Sequence, residues 1–78
     1  MINTEFFVDI KIINEQNNYN LNKREIEVIN LILQEYSTTR IAKTLGLKSN
    51  TISTFKKSIF LKLRVKSTIG LYKLILKS

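Results

Sequence analysis

The apolar positions of this chain follow two different periods. Over residues 5 to 13, EFFVDIKII, Phe6, Val8, Ile10 and Ile12 alternate with Phe7, Asp9, Lys11 and Ile13. That period-two pattern in β-branched and aromatic residues predicts a strand or extended arm. The asparagine-rich stretch NEQNNYN follows and reads as a loop or linker. From Leu21 the period becomes helical: Leu21, Glu25, Val28, Ile29 and Ile32 share one face, widened by Ile26 and Leu33. Asn22 is placed to cap this first helix, with Glu25 three residues on completing a capping box. The helix is expected to end near Glu35 or Tyr36.

Three more helices are predicted. Ser37 caps a short one over Thr38 to Leu45, with Ile41, Ala42 and Leu45 as its apolar contacts and Gly46 as a left-handed stop. The next runs from Ser49 to Leu63 or Arg64. Its Ile52, Phe55, Ile59 and Leu63 form one buried stripe, and Asn50, Ser53, Thr54 and Lys57 form an opposite face that is wholly polar. Ser67 caps the last, from Thr68 to Leu76. Its apolar set (Ile69, Leu71, Tyr72, Leu74, Ile75, Leu76) is too wide for one face against a small core, which points to a partner. The competing explanation is that small helical domains leave some leucines exposed in any case. The chain has no proline, and Gly46 and Gly70 are its only glycines. The expected organisation is an arm and linker over residues 1–20 and an all-α, four-helix domain over residues 21–78.

Composition removes whole classes of function. With 78 residues the chain is one small domain. It has neither cysteine nor histidine. That removes thiolate and imidazole metal sites, disulfides and the commonest general base. No metal, cofactor or catalytic residue is expected, and the acids fall in no recognisable catalytic motif. Charge then adds a direction. Residues 1 to 36 carry all six acids against three bases, and residues 37 to 78 carry ten bases and no acid, giving +7 overall. A basic half of this kind suits a polyanion, with a membrane surface or a merely solvated face as alternatives. No apolar run approaches a membrane span. The N-terminal MINTEFFVDIKIINEQ carries acids and lacks a basic leader, so a cytoplasmic protein with no membrane partner is expected.

Helix, tight glycine turn, and a second helix with a polar and basic outer face make a helix-turn-helix pattern. Such a second helix fits the major groove of double-stranded DNA, where short polar side chains reach base edges. Ser53, Thr54 and Lys57 suit that task. Thr38, Thr39, Lys48, Asn50, Thr51 and Lys56 suit contacts to phosphate.

The residues themselves go further. From Leu21 to Ile75 the chain resembles the DNA-binding domain of the LuxR/GerE family, also called the NarL/FixJ type. The resemblance is carried by Leu21, Arg24 and Glu25, by Val28, Leu31 and Ser37, by Ile41-Ala42, Leu45 and Leu47, and by Thr51-Ile52, Ile59, Lys62-Leu63 and Val65. The run TISTFKKSIFLKL is especially similar to regulators with Thr-Val-Ser-Thr-Tyr-Lys here. It implies a bacterial transcription regulator, associated with the nucleoid, whose third helix lies in the major groove. Ser53, Thr54 and Lys57 would then face bases and Thr51 would touch phosphate. The fourth helix would form the contact of a homodimer on DNA, through Thr68, Tyr72, Ile75 and Leu76, with RNA polymerase a candidate further partner. The chain departs from the family pattern at five places. Glu35 and Arg64 stand where glycine is usual, Lys48 where serine opens the third helix, Phe55 where histidine is frequent, and Thr68 where arginine is usual. Many members carry a receiver or ligand-binding domain ahead of this one. Both a stand-alone regulator and the C-terminal domain of a longer, response-regulator-like protein fit.

Two rivals remain at this level. Region 4 of a sigma factor shares Arg-Glu, the Ile41 to Gly46 pattern and Lys62 to Arg64, but usually ends near Arg64. A protein-interaction module would use the strand-like segment to extend a partner's sheet and the fourth helix to fill a groove.

Overall fold

The computed structural model describes residues 10–77, with side chains described for 10–76. Its elements are five helices: α1 (Ile10–Asn17), α2 (Lys23–Leu33), α3 (Thr38–Leu45), α4 (Ser49–Leu63) and α5 (Thr68–Lys77). There is no strand among the described residues. The expected strand over 5–13 is corrected for residues 10–13, which begin α1; residues 5–9 lie outside the described residues. The reason is phase. A strand would put Ile10 and Ile12 on one side, but Ile10 and Ile13 are buried while Ile12 is exposed. That three-residue spacing is helical, and packing on α2 overrides the β propensity of isoleucine. Residues 14–17, expected in a linker, are also helical.

The asparagines still act as turn residues. Asn17 Nδ2 donates to the Ile13 carbonyl at 2.9 Å, and Asn18 and Asn20 both take left-handed φ, 56° and 61°. Asparagine tolerates that region better than other side chains do. Asn14 docks α1 to the next segment: its Oδ1 accepts from the Leu21 N–H at 3.0 Å and its Nδ2 donates to the Leu21 carbonyl at 3.4 Å.

The capping signals at the starts of α2, α3 and α5 are met. Asn22 Oδ1 accepts from the Glu25 N–H, and Glu25 Oε1 accepts from the Asn22 N–H, at 2.8 and 2.9 Å. Ser37 Oγ accepts from the Arg40 N–H, and Ser67 Oγ from the Gly70 N–H. Serine at 49 is not the cap of α4; Lys48 holds that position, with no side-chain hydrogen bond.

Helices α1 to α4 stop in a common way. In each, a left-handed residue follows the helix, and the next N–H reaches back five residues. Tyr19 donates to the Asn14 carbonyl, Tyr36 to Leu31, Leu47 to Ala42 and Val65 to Phe60. This is the closure of a Schellman motif, which turns the chain sharply and satisfies otherwise orphaned carbonyls. The left-handed residues are Asn18, Glu35, Gly46 and Arg64. Glu35 and Arg64 are the two positions where the resemblance has glycine. It also explains why α2 ends at Leu33, short of the expected Glu35 or Tyr36.

The core is continuous through all five helices: Ile10, Ile13, Leu21, Val28, Ile29, Ile32, Ile41, Ala42, Ile52, Ile59, Leu63, Leu71 and Ile75. α4 packs against α2 and α3, and α1 against α2. α5 closes the far side with Leu71 and Ile75. A Cβ on Gly70 would lie 3.3 Å from Val65 Cβ, so glycine lets α5 start close against the preceding turn. No helix among the described residues is long and apolar enough to cross a membrane.

Left-handed φ costs a residue with a Cβ about 1–2 kcal/mol, and glycine returns about half of that in unfolded-chain entropy. Glu35→Gly and Arg64→Gly are each expected to stabilise the domain by about 0.5–1 kcal/mol. Thermal unfolding checks this; a lowered midpoint in both variants would mean their side chains contribute more than the strain they carry.

Candidate nucleic-acid interface

α4 is held on two sides, and among the described residues nothing covers its third. Ile52, Ile59 and Leu63 enter the core, and Phe55 beside them is half-buried. The opposite stripe, Asn50, Ser53, Thr54 and Lys57, is exposed along its length. The Thr54 hydroxyl donates to the Asn50 carbonyl at 3.1 Å. In that arrangement its oxygen is left to accept, as from an amino group on a base edge.

The remaining expected contact residues lie around this stripe. Thr39, Lys48 and Asn50 are exposed, and Thr38, Thr51 and Lys56 half-buried. Lys56 Nζ donates to Thr38 Oγ1 at 2.9 Å, joining α4 to the first turn of α3. The ammonium therefore sits where the two helices meet. Arg40 stacks on Tyr36, with its guanidinium carbon 3.9 Å from the ring centroid. A cation held flat on a ring is oriented without being neutralised. From residue 37 onward no acid opposes these bases.

What fixes α4 at its other end is Glu25. Its side chain is buried in the apolar face of α2, the residue being 1% exposed. Its carboxylate accepts from the Asn22 N–H at 2.9 Å, from Ser58 Oγ at 2.7 Å and from Lys62 Nζ at 2.7 Å. Lys62 also donates to the Asn20 carbonyl at 3.1 Å. Burial raises the carboxyl's pKa, but the bonds from Lys62, the Asn22 N–H and Ser58 outweigh it. The group ends below its ordinary 4.5. Sequence reading found Glu25 as half of a capping box and missed its partners. The available signal was an acid in the middle of an apolar stripe, which has to be paired when buried.

The expected dimer residues separate. Leu76 is exposed at 62% and Thr68 half-buried. Tyr72 is half-buried, and its hydroxyl donates to the Ile32 carbonyl at 2.7 Å. Burial and the nearby Glu35 charge raise its pKa. Ile75 is a correction: at 2% exposed it belongs to the core and has no surface to offer. Ile69, at 67% exposed, lies two turns before Leu76 on the same face and was not among the expected contacts.

Two helices joined by a Schellman turn, the second presenting a polar, cationic face, define the helix-turn-helix class of DNA-binding domain. The family model for bacterial regulatory proteins of the luxR family, GerE, matches residues 19–75. The chain belongs to that family, a DNA-binding regulatory one and not a family of enzymes. The match runs through α5, the helix that the sigma-factor reading lacked. No curated protein and no solved structure matches the chain.

Lys62→Met is expected to cost about 3–5 kcal/mol, because it strands a buried carboxylate, and Glu25→Gln less, because Lys62 can still reach water. The pH dependence has a defined sign. A depressed folded pKa means Glu25 adds stability fully above its unfolded value and loses it as pH falls through the folded one. Wild-type stability should therefore fall from about pH 5 downward, with a shallower fall in Glu25→Gln. Denaturant unfolding between pH 3 and 7 checks both; parallel pH profiles in the two proteins would remove Glu25 from the account.

Proposed function

We propose that this protein is a sequence-specific transcription regulator that lays α4 in the major groove of double-stranded DNA. The observation that carries the reading is the exposed polar stripe of α4, opposite its buried stripe and flanked by bases, in a stretch of chain that holds no acid from residue 37 onward. Ser53, Thr54 and Lys57 face base edges. The two small side chains let the helix approach, and Lys57 donates to the O6 and N7 acceptors of guanine. Thr38, Thr39, Lys48, Asn50, Thr51 and Lys56 contact phosphate and set the register. The N–H groups at the uncapped start of α4 are placed to add to that contact.

A homodimer on DNA fits the family resemblance and the paired exposure of Ile69 and Leu76 on α5, with Thr68 beside them. Two copies would read two half-sites spaced by the helical repeat.

Duplexes selected from a random DNA pool test this reading. Lys57→Ala should lose about 1–3 kcal/mol on the selected site and relax base choice at one position. Lys48→Ala should weaken all duplexes about equally and flatten the salt slope by about one unit. Ile69→Glu with Leu76→Glu should abolish cooperativity between half-sites while leaving single-site binding intact. Equal losses for Lys57→Ala on selected and scrambled duplexes would make it a phosphate contact, and no loss would put the wrong helix face on DNA.

A further inference from the structure

Leu61 is the most exposed large apolar side chain among the described residues, at 79%, and none of those residues covers it. Its position on α4 is specific. It follows the buried Ile52 by nine residues, about two and a half turns, so it leaves the helix on the side opposite the core. At about 100° per residue it falls inside the arc spanned by Ser53, Lys57, Asn50 and Thr54. It lies about 6 Å beyond Lys57 along the axis, close to two base-pair steps. Lys57 precedes it on that stripe by one turn, and Arg64, the left-handed residue that ends α4, follows it three residues on; both are exposed. A lone leucine between two cations is too small an apolar patch for a protein partner. It matches the one apolar group that a major groove displays among its phosphates, the C5-methyl of thymine.

We infer that Leu61 is a specificity-determining residue that reads a thymine methyl group about two base-pair steps from the base pair met by Lys57. The inference rests on the proposed placement of α4 in the major groove. Leucine has no donor or acceptor, so it selects thymine through the methyl alone. Cytosine lacks that methyl and presents an amino group there, which leucine leaves unpaired.

Methyl scanning tests it. In a duplex selected by the wild-type protein, each thymine is replaced in turn by deoxyuridine, which removes the methyl and keeps the base pair. Wild type is expected to lose about fourfold in affinity at one such position, the worth of one buried methyl, and Leu61→Ala to lose nothing further there. Leu61→Met should retain the discrimination. The substitutions lie at an exposed position, and an unchanged melting midpoint confirms the fold. If no uracil replacement matters to wild type, or if wild type and Leu61→Ala lose equally, the inference is overturned. Lys57→Ala, measured on duplexes varied at the guanine, separates the two readings. Altered base choice with a silent uracil scan would leave α4 in the groove and remove Leu61 alone; unaltered base choice with a silent scan would remove both.

Discussion

The buried carboxylate of Glu25 is the constraint on which the rest of the arrangement turns. An ionised group with almost no exposure is tolerable only with every oxygen bonded. Glu25 meets that need with one bond to the start of its own helix and two to α4. A single residue thus caps α2 and ties it to the middle and end of α4. Because Ser58 and Lys62 are one turn apart, the two bonds restrain the rotation of α4 as well as its distance from α2. Rotation decides which side chains face outward, so the composition of the exposed stripe depends on a contact made on the helix's other side.

The turns supply the second constraint. A residue of left-handed φ follows each of α1 to α4, and the N–H beyond it reaches back to close the helix end. At Gly46 this sets the angle between α3 and α4, and Lys56 bonded to Thr38 holds it from outside. The protein accepts backbone strain at Glu35 and Arg64 where glycine would be relaxed. Among the described residues, nothing gives either side chain a bond that explains the choice. The strain is small against the burial of the core side chains and lies outside the exposed stripe of α4.

Much of this was legible in the sequence, for local reasons. Caps and stops lie within a few residues of the ends they define, so Asn22, Glu25, Ser37, Gly46 and Ser67 located helix ends closely. The exposed stripe of α4 was legible because helical period places it opposite Ile52, Ile59 and Leu63. Long-range features were not. Glu25 and Lys62 are 37 residues apart, and no periodicity links them. The segment beginning at Ile10 satisfied two periods at once, and only its packing on α2 decided between them. The apolar set of α5 is legible as too wide for one face, but which of its residues are surplus is not. Its residues in fact divide, with Leu71 and Ile75 inside, Tyr72 bonded to Ile32, and Ile69 and Leu76 outside.

The central claim is that this framework presents the joined faces of α3 and α4, and no other surface, to DNA. Amide and side-chain chemical shifts during titration with a selected duplex test it most directly. The account predicts the largest changes at Thr38, Thr39 and from Lys48 through Lys57. Ser58 and Lys62 should keep their bonds to Glu25 throughout, and Ile10, Ile13 and the α1 backbone should remain unmoved. Changes concentrated in α1 or along Ile69 and Leu76, with the outer stripe of α4 silent, would contradict it.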